Sequence, residues 1–132
     1  MKLGGTAPAR RATKLSPDSV VTGVVFCFMV TLFSAGILAV ILLRTPITEK
    51  ALSPVVNVVG ALSVFSGGFV AGRRSGTLGW MHGGIAGLFY SAACFLVGVF
   101  AFPELAPVAL LVRRLVLGFS IGLLGGVAGV NF

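Results

Sequence analysis

The chain has 132 residues, 57% of them hydrophobic and only 10% charged, with a formal charge of +7. Soluble domains average roughly 45–50% apolar and about 25% charged residues, and a compact soluble fold of this size leaves too much surface wet to hide the excess. A soluble globular enzyme, a disordered tail and a disulfide scaffold are excluded, and a small polytopic membrane protein remains.

Residues 1–15, MKLGGTAPARRATKL, are polar and basic. Gly4, Gly5 and Pro8 oppose a stable helix, so the segment reads as a flexible cytoplasmic tail. Arg10-Arg11 lacks the hydrophobic residues that follow a twin-arginine pair, and the apolar run behind it is too long for a signal peptide. Residues 16–132 read as one transmembrane domain.

Ser16-Pro17-Asp18 is a helix start. Serine can cap, proline fits the first helical position, and the acid complements the positive end of the helix dipole. From Val20 to Leu43 no charge interrupts the chain, a length of about 36 Å against a hydrocarbon core of about 30 Å. The first helix is placed at 17–43, ended by Arg44-Thr45-Pro46. Ser53-Pro54 repeats the cap-plus-proline signal and predicts a second helix over 54–72. That span is short, and an earlier start near Thr45-Pro46 with Pro54 inside the helix is the alternative. Arg73-Arg74-Ser75-Gly76-Thr77 reads as a tight basic turn. The third helix is placed at 79–101, with Trp80 at the membrane interface, where its amphipathic ring is favoured. Phe102-Pro103-Glu104 and Ala106-Pro107 break the chain before a fourth helix at 107–130. Arg113-Arg114 interrupts that last apolar run. Either the span starts after the pair, or the helix starts near Pro107 and both arginines snorkel to headgroups; the second reading is preferred.

The fold class is therefore all-α, an integral membrane four-transmembrane-helix bundle with glycine-rich helix packing. Four spans put both termini on one side. With the amino terminus inside, the cytoplasmic segments hold six Lys and Arg against four outside. The excess predicts a multi-pass protein of the bacterial plasma membrane with both termini cytoplasmic.

Nineteen glycines stand out in a helical chain. Gly79, Gly83 and Gly87 are four apart in the third helix, with Ser91 continuing the series, and Gly118, Gly122 and Gly126 repeat the spacing in the fourth, with Gly125 and Gly129 as a second pair. In the second helix Ser63, Gly67 and Ala71 form one small-residue line, Gly68 and Gly72 another. Residues four apart share a helix face, and small ones let backbones approach where lipid removes the hydrophobic drive. These positions are assigned to packing within the bundle, with docking of a second copy or a partner as the functional alternative. The first helix carries no long ridge and suits lipid exposure. SGGFVAG at 66–72 echoes LGGVAG at 124–129, a faint trace of a duplicated hairpin.

The stretch from Ser63 to Tyr90, SVFSGGFVAGRRSGTLGWMHGGIAGLFY, with the ending GGVAGVNF, resembles the YrzE-like family of small bacterial membrane proteins. The resemblance implies four transmembrane helices, an envelope-associated role and no established activity or catalytic residues.

Candidate chemistry is sparse. His82 is the lone histidine. With no second ligand nearby it makes no metal site, and it is read as an interfacial hydrogen-bonding group. Arg73, Arg74, Trp80 and His82 are grouped as lipid or partner contacts. Asn57 is a candidate for an interhelical hydrogen bond, and Tyr90 for a packed ring with its hydroxyl bonded nearby. Cys27 and Cys94 read as small hydrophobes at about 10 and 20 Å depth, not a disulfide. No acid lies within a span, which disfavours ion-coupled transport. No catalytic set is present, and no enzyme, cofactor, metal or nucleic-acid partner is expected. The expected partners are the bilayer, anionic headgroups, and a membrane protein or a second copy. The expected role is a structural or accessory subunit of an envelope complex; the alternative is a self-assembling channel or passive transport component.

Overall fold

A computed structural model describes residues 15–105 and 107–132. The basic tail, except Leu15, lies outside the described residues. Four α-helices follow one another: α1 (Pro17–Arg44), α2 (Glu49–Ser75), α3 (Gly79–Ala101) and α4 (Val108–Asn131), with one 3-10 turn at Pro103–Leu105. Each is long and apolar enough to cross a membrane. The chain is an all-α membrane protein with four spans.

The second helix follows the alternative reading, with an early start and Pro54 inside it, though it begins at Glu49 and not at Thr45-Pro46. The start at Pro54 is thereby corrected. Pro54 removes the backbone bond that Lys50 would accept and crowds that carbonyl, a cost confined to the first turn of the helix. The Ser53-Pro54 pair therefore marks no boundary. At its other end α2 runs through Arg73 and Arg74 to Ser75 and is stopped by Gly76 in the left-handed conformation (φ 65°), whose N–H bonds Gly72 O at 3.2 Å. The two arginines thus occupy the last helical turn, where the dipole favours cations, rather than a loop. Pro107 is the N-cap of α4, so Arg113 and Arg114 lie in its second turn, inside the helix.

Helix directions follow from which glycines meet. Gly79, Gly83 and Gly87 of α3 face Gly126, Gly122 and Gly118 of α4. One number rises as the other falls, so the pair is antiparallel. Gly68 and Gly72 of α2 face Gly122 and Gly126, rising together, so α2 and α4 are parallel. Helices α2 and α3 each touch all three others, whereas α1 and α4 do not touch. The bundle is a diamond with α2 and α3 on the short diagonal.

Burial is confined to one end. The buried residues of α1 are Ser19, Val20, Gly23 and Cys27, all in its first half, and those of α4 run from Gly118, near its middle, to Gly129. In α3 burial stops at Ser91, and in α2 it begins at Ser63. All four segments belong to the half next to the α2–α3 turn. In the other half large apolar side chains such as Leu32, Phe33, Val97, Phe100 and Val108 are exposed.

Candidate functional site

The closed half is built from backbone-to-backbone contact. A methyl group added at Gly83 would collide with Gly122 O, and one at Gly126 with Gly79 O. Gly68 meets Gly122 O at 2.5 Å by the same measure, and Gly72 meets Gly126 O. Gly67 faces α1, where Cys27 Sγ and Gly23 O occupy the space its own side chain would need. The two small-residue lines of α2 thus serve two neighbours: Gly67 and Ala71 lie against α1, Gly68 and Gly72 against α4. Gly23, Gly125 and Gly129 join them without belonging to a long ridge. Gly23 would meet Ala71 Cβ at 2.7 Å, while Gly125 and Gly129 press on Phe65 O and Phe69 O.

Beside this packing sits a polar junction. His82 is 1% exposed. Its Nε2 accepts the backbone N–H of Ser16 at 3.1 Å, and its Nδ1 lies 3.0 Å from Leu78 O. A carbonyl only accepts, so Nδ1 carries the proton and Nε2 is the acceptor. His82 therefore does not stand with the lipid- or partner-contacting residues. The entrance of α1 folds over it, and its ring joins the starts of α1 and α3. Ser16 is the N-cap residue of α1, but its hydroxyl makes no capping bond and donates instead to Ser19 Oγ at 2.8 Å. Leu78, which supplies the carbonyl, has a left-handed backbone (φ 49°). Such a conformation costs a residue with a Cβ about 1–2 kcal/mol. Arg73, Arg74 and Trp80 are exposed at the same end.

A second polar link closes the middle. Thr31 Oγ1 donates to Cys27 O at 2.8 Å, which uses its one proton, so the Tyr90 hydroxyl is the donor in the 2.6 Å bond between Tyr90 and Thr31. Tyr90 also stacks edge-on against Phe28, ring centres 5.2 Å apart. Cys27, Val64 and Tyr90 form a buried cluster against which Phe28, Cys94 and Ile121 pack. Both cysteines are free thiols.

Above this cluster the four helices part and leave a half-open cavity of about 680 Å³, with Ser53, Asn57, Arg113 and Arg114 exposed along it. Val64, Tyr90 and Ile121 are its floor, and Leu38, Val59 and Leu117 are among its apolar walls. Its polar lining comes from Thr31, Ser53, Asn57, Tyr90 and Ser91, and α4 adds Arg113 and Arg114. Asn57 thus lines the cavity, and no interhelical hydrogen bond of its side chain exists among the described residues. The cavity gathers residues that the sequence scatters over three helices and a fourth. Asn57, a polar residue in the second span, and the misfit of Arg113-Arg114 in an apolar run were its signals in the sequence.

No group of three or more His, Cys, Asp or Glu side chains that could hold a metal ion occurs among the described residues. The arrangement offers close helix contacts, a buried imidazole used as a structural link, and one cavity with two guanidinium groups.

Comparison with known proteins agrees with this architecture. The profile of a family described as "Protein of unknown function (DUF3792)" matches residues 16–129. The chain is 28% identical over 120 residues to the "Uncharacterized membrane protein YrzE" of Bacillus subtilis (strain 168), an alignment covering 90% of this chain and 79% of that protein. No solved structure matches the chain.

Proposed function

We propose that this chain, which belongs to the DUF3792 family, is a non-catalytic structural or accessory subunit of a bacterial envelope complex. It would sit in the plasma membrane with both termini cytoplasmic. The observation that carries the reading is that the cavity ends blind. Its floor is Val64, Tyr90 and Ile121, and beneath that floor glycine carbonyls of neighbouring helices occupy the space a pore would need. A chain of this build supports a rigid scaffold better than a conduction path. The excess of Lys and Arg on the tail side supports the orientation. The exposed Arg73, Arg74 and Trp80 give that side a surface for anionic headgroups or an acidic partner.

The test is affinity purification in mild detergent at native expression, with quantitative mass spectrometry of what co-purifies. A membrane protein at fixed stoichiometry, lost with Arg73→Gln/Arg74→Gln, is the expected result. A pure homo-oligomer that conducts ions in liposomes would overturn the reading and favour the channel.

A further inference from the structure

The two guanidinium groups of α4 pose a physical problem. Arg113 and Arg114 follow the first helical turn, so their Cα atoms lie about 8 Å along the helix from Val108. A 24-residue helix is about 36 Å long and overshoots a 30 Å core by only a few ångströms at each end. Both arginines therefore start below the headgroup boundary. Charges that start at that depth snorkel to the headgroup level or take a partner or water. Among the described residues neither guanidinium has a hydrogen bond or an ion pair. Both instead line the cavity, and two of its other polar groups, Ser53 and Asn57, come from α2.

We propose that this cavity binds one anionic phospholipid from the leaflet opposite the α2–α3 turn. Arg113 and Arg114 hold its phosphate, and Ser53 and Asn57 face the polar part of the headgroup. The first carbons of an acyl chain lie along Leu38, Val59 and Leu117, above the floor made by Tyr90 and Ile121. The volume of about 680 Å³ falls in the range of ligand sites, roughly 300–1,000 Å³, and suits the headgroup-proximal part of a lipid while the rest stays in the bilayer. Charge selects the occupant. The cavity side chains named here include two cations and no acid. A guanidinium recognises phosphate oxygens by paired hydrogen bonds that a neutral partner cannot match. A zwitterionic lipid brings its own ammonium into the same cationic site and is repelled there. This inference is independent of the accessory-subunit reading and stands or falls on lipid binding alone.

The experiment titrates the purified full chain in detergent micelles with dioleoylphosphatidylglycerol, dioleoylphosphatidylcholine or inorganic phosphate. Bound species are read by native mass spectrometry. One phosphatidylglycerol per chain is expected, with phosphatidylcholine held about tenfold or more weakly and no displacement by millimolar phosphate. Arg113→Gln/Arg114→Gln should weaken the anionic lipid by about tenfold or more. Gly60→Phe is the second variant. Gly60 lines the cavity and has nothing within 4 Å of its missing side chain, so the ring fills the lipid's space while both charges remain. It should weaken the lipid to a similar extent, and it decides the matter if the double arginine variant does not fold. Equal binding of the two lipids, displacement by free phosphate, a second copy of the chain in place of lipid, or unchanged binding in Gly60→Phe would each overturn the proposal.

Discussion

Gly→Ala substitutions separate the two halves of this bundle by sign. Alanine is favoured over glycine in a helix interior by about 1 kcal/mol in water, wherever the site lies. At Gly36 and Gly60 nothing lies within 4 Å of the added methyl, so the propensity gain should appear nearly whole, a stabilisation of about 0.5–1 kcal/mol. At Gly122 and Gly126 the methyl would strike the carbonyl oxygens of Gly83 and Gly79. Those oxygens belong to helix backbone and cannot rotate away as a side chain can. The helices must separate instead, and overpacking of this kind costs about 1–3 kcal/mol. Set against the propensity gain, the net effect is a loss of up to about 2 kcal/mol. Gly83→Ala combined with Gly122→Ala should cost less than the two singles together, since one separation of α3 from α4 relieves both. Reversible unfolding in detergent, monitored by helical circular dichroism, reads all six variants and the native chain on one scale. If Gly122→Ala and Gly126→Ala stabilise as much as Gly36→Ala does, close glycine contact does not hold this bundle together and the reasoning fails.

Two polar links give smaller, distinct signatures. Tyr90→Phe deletes the hydroxyl that donates to Thr31 but keeps the ring against Phe28; the loss in the same unfolding assay should be about 0.5–1.5 kcal/mol, since interhelical hydrogen bonds in membranes average about 0.6. His82→Ala removes the ring that bridges a buried junction, leaving a void and a Ser16 N–H without its acceptor, while Leu78 O keeps the backbone N–H groups of Met81 and residue 82, so a loss of about 2–4 kcal/mol is expected. A loss under about 0.5 kcal/mol would place His82 on the surface energetically.

What the sequence disclosed and what it withheld divide along physical lines. The number of helices is a property of local composition: four apolar runs, each about as long as a bilayer is thick, are visible residue by residue. The faces that carry glycine are equally local, because four-residue spacing fixes a face before any partner is known. The register between faces is not local. Nothing in the spacing of Gly68 and Gly72 says that α4 lies against them while Gly67 and Ala71 meet α1. The start of α2 was ambiguous, because Ser53-Pro54 has the chemistry of a helix entrance and local sequence does not decide between a start there and a helix running through it. His82 looks interfacial by position in its helix. Its burial depends on Ser16, sixty-six residues earlier, folding over it. The cavity was the least legible feature, because it arises where helices diverge, and divergence depends on which neighbours are large.

The asymmetry between a sealed half and a parted half predicts different fates for the two thiols. Cys27 is fully buried, enclosed where α1 meets Gly67, whereas Cys94 lies on the cavity wall, half-buried. Depth alone does not distinguish them well, since each lies in the interior of its helix, and intrinsic thiol chemistry is the same. Access does. A reagent can reach Cys94 through the space between the parted helices without any change of fold. Reaching Cys27 requires α1 to leave α2, breaking the Gly23–Gly67 contact. Labelling of Cys94 should then follow the reagent's partition into the cavity, and labelling of Cys27 should follow local unfolding. A small membrane-permeant maleimide, applied to the native chain in liposomes and read by peptide mass spectrometry, should modify Cys94 first. Gly67→Ala, which forces α1 outward, should accelerate Cys27 by about tenfold if it lowers the cost of opening by about 1.4 kcal/mol, with little effect on Cys94. Gly60→Phe should do the reverse, slowing Cys94 by filling its approach and leaving Cys27 unchanged. Equal rates for the two thiols in the native chain would mean that the sealed half opens as readily as the cavity, and the blind floor on which the functional reading rests would be lost with it.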